Sequence, residues 1–429
     1  MIIKIDCLLH IYDIRHILCH FCCLVIKMSI KLSNNLKNIP PSATMLMTQL
    51  ARELKGKGKD IISLSAGEPD FDTPTHIKEA AIKAIQNGET KYTSVDGIDE
   101  LKEAIINKFS RDNGLEYAKE NISVAPGGKA IIYNAMLATL NEGDEVLIPS
   151  PYWVSYPDIV RLGRGKPIII QASEEDNFKI KPENLERAIT KKTKWLILNS
   201  PSNPTGEVYS KEELTEIYEV LKKYTEVYIL SDDIYEHILY KNSEEFVTIA
   251  QIHEDLFSRT LTMNGVSKSH SMTGWRIGYC GAPKEIIDSM RKLMGQSTSN
   301  PSSISQWAAV EALNGSDDFL KEWLTAFEER RDYIVKSLND CKGITCLEPK
   351  GAFYVYPSCS GLIGKKYKEG SIIKNDNIFS MLLLKEKLVS VVQGEAFGLS
   401  PYFRISYATS LENLKIACER IKEFCEELI

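Results

Sequence analysis

The spacing of apolar residues predicts an amphipathic helix that begins near residue 76. In "HIKEAAIKAIQNG" (76–88), the apolar side chains fall on one stripe of a helix, and Gly88 follows where glycine commonly ends a helix. The residues of this stripe are Ile77, Ala80, Ala81, Ala84 and Ile85. A second helical pattern covers 211–223, and Ser210 and Glu213 introduce it as a capping box.

Short and nearly continuous apolar runs alternate with the helical patterns. They predict strands at 145–149, 194–199, 227–230 and 261–264. A strand that is apolar at almost every position is buried on both faces, which is typical of a parallel sheet with helices on both sides. The pattern therefore predicts an α/β fold with a mostly parallel central sheet flanked by helices.

The pattern changes after about residue 312. A long helical stretch covers 317–338, the β-rich segments "GAFYVYP" and "YFRISYA" follow, and a closing helix covers 411–428. A chain of 429 residues exceeds the size at which one hydrophobic core stops growing. We therefore expect a large domain at 75–312 and a smaller α+β domain at 313–429. Residues 29–74 would form an N-terminal segment that packs with the small domain.

Composition argues against two classes of partner. Hydrophobic residues make up 43% and charged residues 26% of the chain, which is usual for a globular protein. The net charge is −6 and no long basic cluster is present, so nucleic-acid binding has no electrostatic support. The apolar run 17–26 is too short to span a bilayer, so no membrane association is predicted. Beyond the N-terminal cysteines the thiols are scattered singly, which favours a reduced, cytoplasmic compartment.

Residues 1–28 are expected to lie outside the fold. They lack the small-residue cleavage site of a secretory signal and the Arg- and Ser-rich composition of a mitochondrial presequence. The cluster "CHFCC" (19–23) could ligate zinc, but it lacks a second ligand pair at a suitable spacing. No metal site is therefore predicted.

Two segments place polar groups where a ligand could bind. "APGGKAIIYNAML" (125–137) leads Gly127 and Gly128 directly into a helix, where backbone N–H groups and the helix dipole favour an anion. "NSPSNPTG" (199–206) follows a strand, and Asn203 could donate a hydrogen bond into a cleft at the strand ends. Taken singly, a glycine pair is more often a plain helix start, and an asparagine in such a turn is common without a ligand.

Two further segments supply charged groups. "VYILSDDIYEH" (227–237) places Asp232 at the end of a strand, with Tyr235 just behind it. "NGVSKSHSMTGWRIGY" (264–279) places Lys268 just past a strand and adds Arg276. A desolvated lysine is a nucleophile toward aldehydes, and the planar fork of arginine suits phosphate. Taken singly, Asp232 could be a helix N-cap and Lys268 a surface charge.

The ordered set of these groups favours a pyridoxal phosphate site. The glycine pair and Arg276 would hold the phosphate, Asp232 would keep the pyridine nitrogen protonated, and Lys268 would form the imine. Tyr235 and Asn203 would reach the ring hydroxyl.

The chain resembles the class I aminotransferases of fold type I, and most closely the aspartate aminotransferase subgroup of bacteria. The resemblance covers residues 29–429 and implies a large domain that binds pyridoxal 5′-phosphate (PLP). The motifs that carry it are "AGEPDFDTP", "TKYTSVDGI", "PYWVSYPD", "NSPSNPTG", "SDDIYEH", "SKSHSMTGWRIGY", "GAFYVYP" and "FRISYATS".

The resemblance implies a role for each matching residue. Lys268 would be the Schiff-base lysine and proton shuttle, with Asp232 and Tyr235 as the other catalytic residues. The residues that would bind the cofactor are Gly127, Gly128, Lys129, Trp153, Asn203, Asp232, Tyr235, Ser267, Lys268, Arg276 and Tyr92. The residues that would bind the substrate are Ser42, Thr44, Gly67, Lys129, Trp153, Asn203 and Arg404. Tyr92 would reach the cofactor phosphate of the neighbouring subunit, which implies a homodimer with shared active sites.

Two positions depart from the pattern of the family. Gly265 stands where many relatives carry a phosphate-binding serine, and Ser267 could take over that contact. Gln393 in "VVQG" (391–394) replaces a proline, away from the predicted catalytic groups.

Lys129 is the residue that bears most on the choice of amino donor. Transamination needs only the α-amino and α-carboxyl groups, so the side-chain pocket selects the substrate. In the subgroup that the chain resembles, the lysine of "GGK" is associated with acidic substrates, assisted by polar residues that match Ser42 and Thr44. A solvent-facing helix lysine is the alternative. Use of prephenate is linked to an N-terminal arginine, and Asn34 and Asn35 occupy the aligned stretch, so prephenate is the less favoured substrate.

The predicted reaction moves the amino group of L-aspartate to 2-oxoglutarate, giving oxaloacetate and L-glutamate by a ping-pong mechanism. One alternative is another reaction on the same scaffold. It could use a different donor, such as an aromatic amino acid or the prephenate/glutamate pair, or it could be the reaction of a PLP-dependent lyase. A second alternative is a regulator with an aminotransferase-like domain. The residues before "PSAT" are too few and too weakly basic for the DNA-binding module that such a regulator needs.

Overall fold

The computed structural model describes residues 33–37, 39–241 and 243–429, and the predicted extension at 1–28 lies outside them. A short 3₁₀ helix covers Asn34–Leu36. The α-helices of the described residues are α1 (Ala43–Gly56), α2 (Thr75–Gln86), α3 (Asp99–Asn113), α4 (Gly128–Thr139), α5 (Tyr156–Leu162), α6 (Pro182–Ala188), α7 (Lys211–Leu221), α8 (Glu254–Phe257), α9 (Lys284–Met294), α10 (Ser303–Asn314), α11 (Phe319–Asn339), α12 (Asp376–Lys387) and α13 (Leu411–Glu426). The strands are β1 (Ile62–Ser63), β2 (Ile122–Ala125), β3 (Glu145–Ser150), β4 (Lys166–Gln171), β5 (Thr193–Asn199), β6 (Tyr228–Asp232), β7 (Thr260–Gly265), β8 (Gly278–Gly281), β9 (Tyr354–Val355), β10 (Val389–Ser390), β11 (Val392–Gln393) and β12 (Phe403–Ser406).

A mostly parallel sheet lies at the centre of the fold. Within the described residues its strand order is β2-β8-β7-β6-β5-β3-β4. Strand β3 pairs in parallel with β4 and β5, β5 pairs with β6, and β6 pairs with β7. Strand β8 runs antiparallel to both of its neighbours, β7 and β2. The predicted strands correspond to β3, β5, β6 and β7, and the predicted α/β architecture is confirmed.

Helices cover both faces of the central sheet because its strands are apolar on both sides. On one face, Val146 and Ile148 of β3 share a hydrophobic core with Met136 of α4. On the other face, Leu147 shares a core with Leu214 of α7. Alternate residues of one strand thus support helices on opposite faces, and the strand ends remain the place where a ligand can enter.

A second group of short strands is formed by parts of the chain that precede and follow the central sheet. Strands β11, β12 and β9 form an antiparallel sheet, and β1 pairs in parallel with β10. Ile62 and Leu64 share a hydrophobic core with Ile334 of α11, Leu383 of α12 and Leu414 of α13. Residues 41–429 form one compact unit. The division of the chain into an N-terminal segment (29–74), a large domain (75–312) and a small domain (313–429) stays a prediction.

Helix α2 lies where the apolar stripe predicts it, but its buried face is narrower. Ile77, Ala81 and Ala84 are buried, whereas Ile85 is 53% exposed. Ile85 lies about 80° around the helix axis from Ile77, at the margin of the stripe. The helix ends before Gly88, which has a left-handed φ of 80°.

The other predicted helices are also present. Helix α7 has its capping box, since the Glu213 N–H donates to Ser210 Oγ (3.2 Å) and the Ser210 N–H donates to Glu213 Oε2 (2.8 Å). The long helix predicted at 317–338 is α11, and the closing helix is α13. None of the helices in the described ranges is long and apolar enough to cross a membrane.

Candidate active site

The carboxyl ends of β5 and β6 open into a cleft with a volume of about 440 Å³, as expected for a ligand site in an open α/β sheet. Most of the residues predicted from the sequence line this cleft. They are Thr44, Gly67, Gly128, Lys129, Trp153, Asn203, Asp232, Tyr235, Ser267, Lys268, Arg276 and Arg404. The remaining three, Ser42, Tyr92 and Gly127, lie outside its lining.

Lys268 lies in the loop that follows β7, with a partly buried side chain. Its Nζ donates a hydrogen bond to the carbonyl oxygen of Gly67 (2.5 Å). Burial lowers the pKa of Lys268 to about 8 because it strips water from the ammonium, and the carboxylate of Glu68 partly offsets this effect. About half of this amine is therefore unprotonated and nucleophilic near pH 8.

Asp232 is the last residue of β6 and is buried. The Tyr156 hydroxyl donates to its Oδ2 (2.5 Å), and the Ile234 N–H donates to its Oδ1 (3.4 Å). Burial raises the pKa of the Asp232 carboxyl to about 6, although these two hydrogen bonds favour the ionised form. A protonated ring nitrogen beside this carboxylate would gain a charge-assisted hydrogen bond.

Arg404 lies on β12 and is only 2% exposed. One of its terminal nitrogens donates to Asn203 Oδ1 (3.0 Å) and the other donates to the carbonyl oxygen of Ser65 (2.6 Å). Its Nε is buried with no hydrogen-bond partner among the described residues. Burial lowers the pKa of Arg404, yet a guanidinium stays charged in proteins. Such a cation, held by neutral acceptors at a cleft, is suited to bind a carboxylate.

A corner of the cleft has the features of a phosphate site. Gly127, with φ of 90°, precedes the N-terminus of α4, and the guanidinium of Arg276 lies so close that a Cβ at Gly127 would overlap it. Arg276 itself donates to the carbonyl oxygens of Thr273 (2.7 Å) and Pro126 (3.3 Å). A helix N-terminus faced by a guanidinium and free of a Cβ fits the phosphate of PLP.

Lys129 and Trp153 form one wall of the cleft. The Lys129 Nζ lies 4.9 Å from the centre of the Trp153 ring. Burial lowers the pKa of Lys129, and the positive charge of Arg276 lowers it further. No carboxylate of the described chain pairs with Lys129 within 4.0 Å, so its charge is available to a ligand.

Ser42 lies next to a residue of the cleft lining, whereas Tyr92 lies apart from it. The hydroxyls of Ser42 and Thr44 lie 2.9 Å apart, and Thr44 reaches the lining. Tyr92 is 91% exposed and lies outside the lining of the cleft in its own chain. Its proposed contact with a second subunit stays a prediction.

Close packing accounts for the glycine at position 265. A Cβ on Gly265, at the end of β7, would lie 3.1 Å from both the Ile277 carbonyl oxygen and the Ile234 Cδ1. A serine would therefore require its neighbours to shift. Ser267 lines the cleft in the same loop and stays the predicted alternative contact for the phosphate.

Three cleft residues have roles in the geometry that the sequence did not indicate. Asn199 Nδ2 donates to the carbonyl oxygen of Asp232 (2.8 Å), and Asn199 Oδ1 accepts from the Asn203 N–H (2.8 Å). Tyr156 holds the Asp232 carboxylate, and the Tyr354 hydroxyl lies 2.7 Å from that of Tyr235. All three lie in the motifs "NSPSNPTG", "PYWVSYPD" and "GAFYVYP". Their place in these motifs was the one sequence signal that could have pointed to them.

Together these groups define a class of protein. The site combines a nucleophilic lysine, a buried carboxylate, a phosphate corner and a carboxylate-binding arginine, which is the set that a PLP enzyme acting on amino acids requires. Residues 59–421 match the family model "Aminotransferase class I and II", and the chain belongs to this family.

Relatives and solved structures agree with this assignment. The chain is 56% identical over 394 residues to a "Probable aspartate/prephenate aminotransferase" of Rhizobium leguminosarum bv. phaseoli, covering 92% of this chain and 98% of that one. It is 51% identical over 396 residues to an "Aspartate aminotransferase" of Rhizobium meliloti (strain 1021), covering 92% and 96%.

The crystal structure of the aspartate aminotransferase from Rhizobium meliloti has a TM-score of 0.91 at 50% identity, covering 94% of this chain and 100% of that one. The enzyme from Thermus thermophilus with maleate has a TM-score of 0.86 at 41% identity, covering 92% and 100%. The chain is therefore a PLP-dependent aminotransferase of fold type I, as the sequence predicted.

Proposed function

We propose that the enzyme transfers the amino group of L-aspartate to 2-oxoglutarate, giving oxaloacetate and L-glutamate in two half-reactions at one site. The observation that carries this proposal is the presence of two unpaired cations, Arg404 and Lys129, in the same cleft. Aspartate, glutamate and their 2-oxo acids each carry two carboxylates. A site with two such cations favours them over monocarboxylic amino acids.

The residues present fit the cofactor. PLP supplies an aldehyde and an electron-withdrawing ring. Arg276, Ser267 and the N–H groups at Gly127 and Gly128 would hold its phosphate. Asp232 would bind the pyridine nitrogen, which keeps a proton there because an ionised carboxylate lies beside it.

Other residues would orient the ring and exclude water. Trp153 would stack on the ring, and Tyr235 and Asn203 would donate to its hydroxyl oxygen. Tyr92 would contact the phosphate bound by a second subunit, so we propose a homodimer with shared sites, working in the cytoplasm.

Lys268 performs the proton transfers in this proposal. Its partly buried amine lies beside the Gly67 carbonyl oxygen and can hold or release a proton near neutral pH. Positioned proton transfer of this kind contributes on the order of 10²–10⁴-fold in rate. Arg404, Gly67 and Asn203 would hold the α-carboxylate of the substrate so that its Cα lies within reach of Lys268.

Prephenate is a second candidate substrate, as an amino acceptor. Relatives at 53–56% identity carry the name "Probable aspartate/prephenate aminotransferase". Asn34 and Asn35 stand in the stretch where that use is linked to an arginine, so we rank prephenate below 2-oxoglutarate.

A panel of amino donors with 2-oxoglutarate as acceptor tests the proposal. L-aspartate should give a kcat/KM at least about tenfold above those of alanine and phenylalanine. Equal rates for aspartate and an aromatic or aliphatic donor would contradict it. Assays with prephenate as acceptor rank the second candidate, and release of pyruvate and ammonia without a 2-oxo acid would reveal a lyase instead.

A further inference from the structure

We propose that Tyr354 is a positioning residue of this site: its hydroxyl directs the proton of the Tyr235 hydroxyl into the cleft, and its ring holds the guanidinium of Arg404. Tyr354 begins β9, is fully buried and lines the cleft. This inference rests on the proposed function, since it concerns side chains that would act on cofactor and substrate.

The first observation is the contact between the two hydroxyls. Those of Tyr354 and Tyr235 lie 2.7 Å apart, and the two rings meet edge to face with centres 5.7 Å apart. Tyr354 is fully buried, and this contact is the one hydrogen bond that its hydroxyl makes among the described residues, whereas Tyr235 keeps 3% exposure. A buried hydroxyl that fails to donate is costly, so we take Tyr354 as the donor of the pair. When it donates to Tyr235, the Tyr235 proton is left for an acceptor in the cleft.

The second observation is the position of the Arg404 guanidinium over the Tyr354 ring. The guanidinium carbon lies 4.6 Å from the ring centre, which is the geometry of a cation–π contact. The two other polar contacts of this group are with Asn203 and the Ser65 carbonyl oxygen. The Tyr354 ring thus supports one face of the Arg404 guanidinium, and the two acceptors hold its terminal nitrogens. Together these contacts fix the plane of the guanidinium.

The third observation concerns Gly67, whose carbonyl oxygen accepts the hydrogen bond of Lys268. A Cβ on Gly67 would lie 2.7 Å from the Tyr354 hydroxyl oxygen, but 3.7 Å from the next ring atom, Cζ. Only the hydroxyl therefore excludes a side chain at position 67. The same hydroxyl that contacts Tyr235 also sets the shape of the segment beside the lysine.

The two functions of Tyr354 can be separated with two variants of the holoenzyme. Tyr354→Phe removes the hydroxyl and keeps the ring, whereas Tyr354→Leu removes both. The matched control is Tyr407→Phe, because Tyr407 is fully buried in the same core and its hydroxyl lies 2.7 Å from that of Tyr240, away from the cleft.

Tyr354→Phe should weaken the donation of Tyr235 to the ring oxygen of the cofactor. The ring then holds more electron density, so the visible absorption band of the bound cofactor should titrate about 0.5–1 pH unit higher than in the wild type. The kcat for aspartate should fall about 3- to 10-fold with KM changed less than about twofold. Tyr354→Leu should in addition raise KM about 5- to 10-fold, because Arg404 loses its support. Tyr407→Phe should leave the titration and KM unchanged.

A double-variant experiment tests the same geometry without the cofactor. Gly67→Ala should lower the melting temperature of the apoprotein in the wild-type background, and clearly less in the Tyr354→Phe background, because the clash is relieved. Equal losses in both backgrounds, together with an unshifted titration in Tyr354→Phe, would overturn the proposal. If the titration shifts but aspartate is not the preferred donor, Tyr354 keeps its positioning role and only the proposed donor fails.

Discussion

Replacing Lys129 by methionine removes one of the two cations on which the proposed donor preference rests. The substitution keeps an unbranched side chain of similar length, so contact with the Trp153 ring can persist. What it removes is a charge whose Nζ lies 4.9 Å from that ring and that no carboxylate of the described chain neutralises. The variant therefore tests charge recognition with little change in shape.

The expected size of the effect follows from the environment of the ammonium. Two unit charges at about 4 Å with an effective dielectric constant of about 20 attract by about 4 kcal/mol, which is an upper limit here. Lys129 is exposed to solvent although the cleft wall removes some water from its amine, so water in the cleft screens its charge. A charge-assisted hydrogen bond is worth about 1.5–3 kcal/mol, which predicts a loss of about 10- to 150-fold in kcat/KM for aspartate.

The assay should isolate one half-reaction, because 2-oxoglutarate is itself a dicarboxylate. Mixing the holoenzyme with an amino donor alone and following the visible absorbance of the bound cofactor gives kcat/KM for that donor in a single turnover. Aspartate should show the full loss. Alanine and phenylalanine, which lack a second carboxylate, should change less than about threefold. The cofactor dissociation constant is measured in parallel, since Lys129 also lies near the phosphate corner.

A matched control and a clear contrary result complete this test. Lys129→Arg keeps the charge and should retain most of the preference for aspartate. If Lys129→Met lowers the rates for aspartate and alanine by the same factor, the residue acts on the cofactor or the fold. The proposed recognition of the second carboxylate would then be wrong.

Four further predictions concern other parts of the site and core. Lys268→Ala should abolish turnover and the visible band of the lysine-bound cofactor, and survival of both would refute its role. In the apoprotein, the rate of PLP capture, measured by stopped-flow mixing, should rise with pH and reach half its maximum near pH 8. The reason is that the unprotonated amine attacks PLP and that burial lowers the pKa of Lys268 to about 8. A midpoint above pH 10 would contradict this. Gly127→Ala should weaken PLP binding by about tenfold or more, measured by equilibrium titration, since its Cβ would overlap Arg276 and its φ is positive. Lys108→Met should lower the free energy of unfolding in urea by about 3 kcal/mol, because the buried Glu236 carboxylate loses its lysine partner and keeps only His237 Nε2 (3.1 Å) and the Asn113 amide (2.9 Å); an unchanged midpoint would show that the pair is not needed.

The sequence predicted those parts of the fold that local patterns encode. Strands β3, β5, β6 and β7 are apolar along their length, and their runs are visible without knowledge of their neighbours. The capping box of α7 is likewise a local signal. The exposure of Ile85 is not a local signal, because whether the margin of an apolar stripe is covered depends on which helix packs against it.

In the site, too, local motifs could be predicted from the sequence, whereas contacts between distant residues could not. Lys268, Asp232 and Arg276 carry distinctive chemistry in recognisable motifs, and the structure brings them to one cleft. The roles of Tyr156, Asn199 and Tyr354 could not be read in this way, because they arise from contacts between residues far apart in the chain. A buried tyrosine next to a carboxylate has the same sequence pattern as one that only fills a core.

The bond between Arg404 and the Ser65 carbonyl oxygen joins residues 339 positions apart. During synthesis, the arginine that would hold the substrate is added after most of the chain has been made, and its acceptor has by then long left the ribosome. The strands of the central sheet and the residues of the phosphate corner all lie before residue 282. The residues that would hold PLP are therefore complete in the chain well before the arginine that would hold the substrate carboxylate, and that arginine is placed by the pairing of β12 with its neighbours.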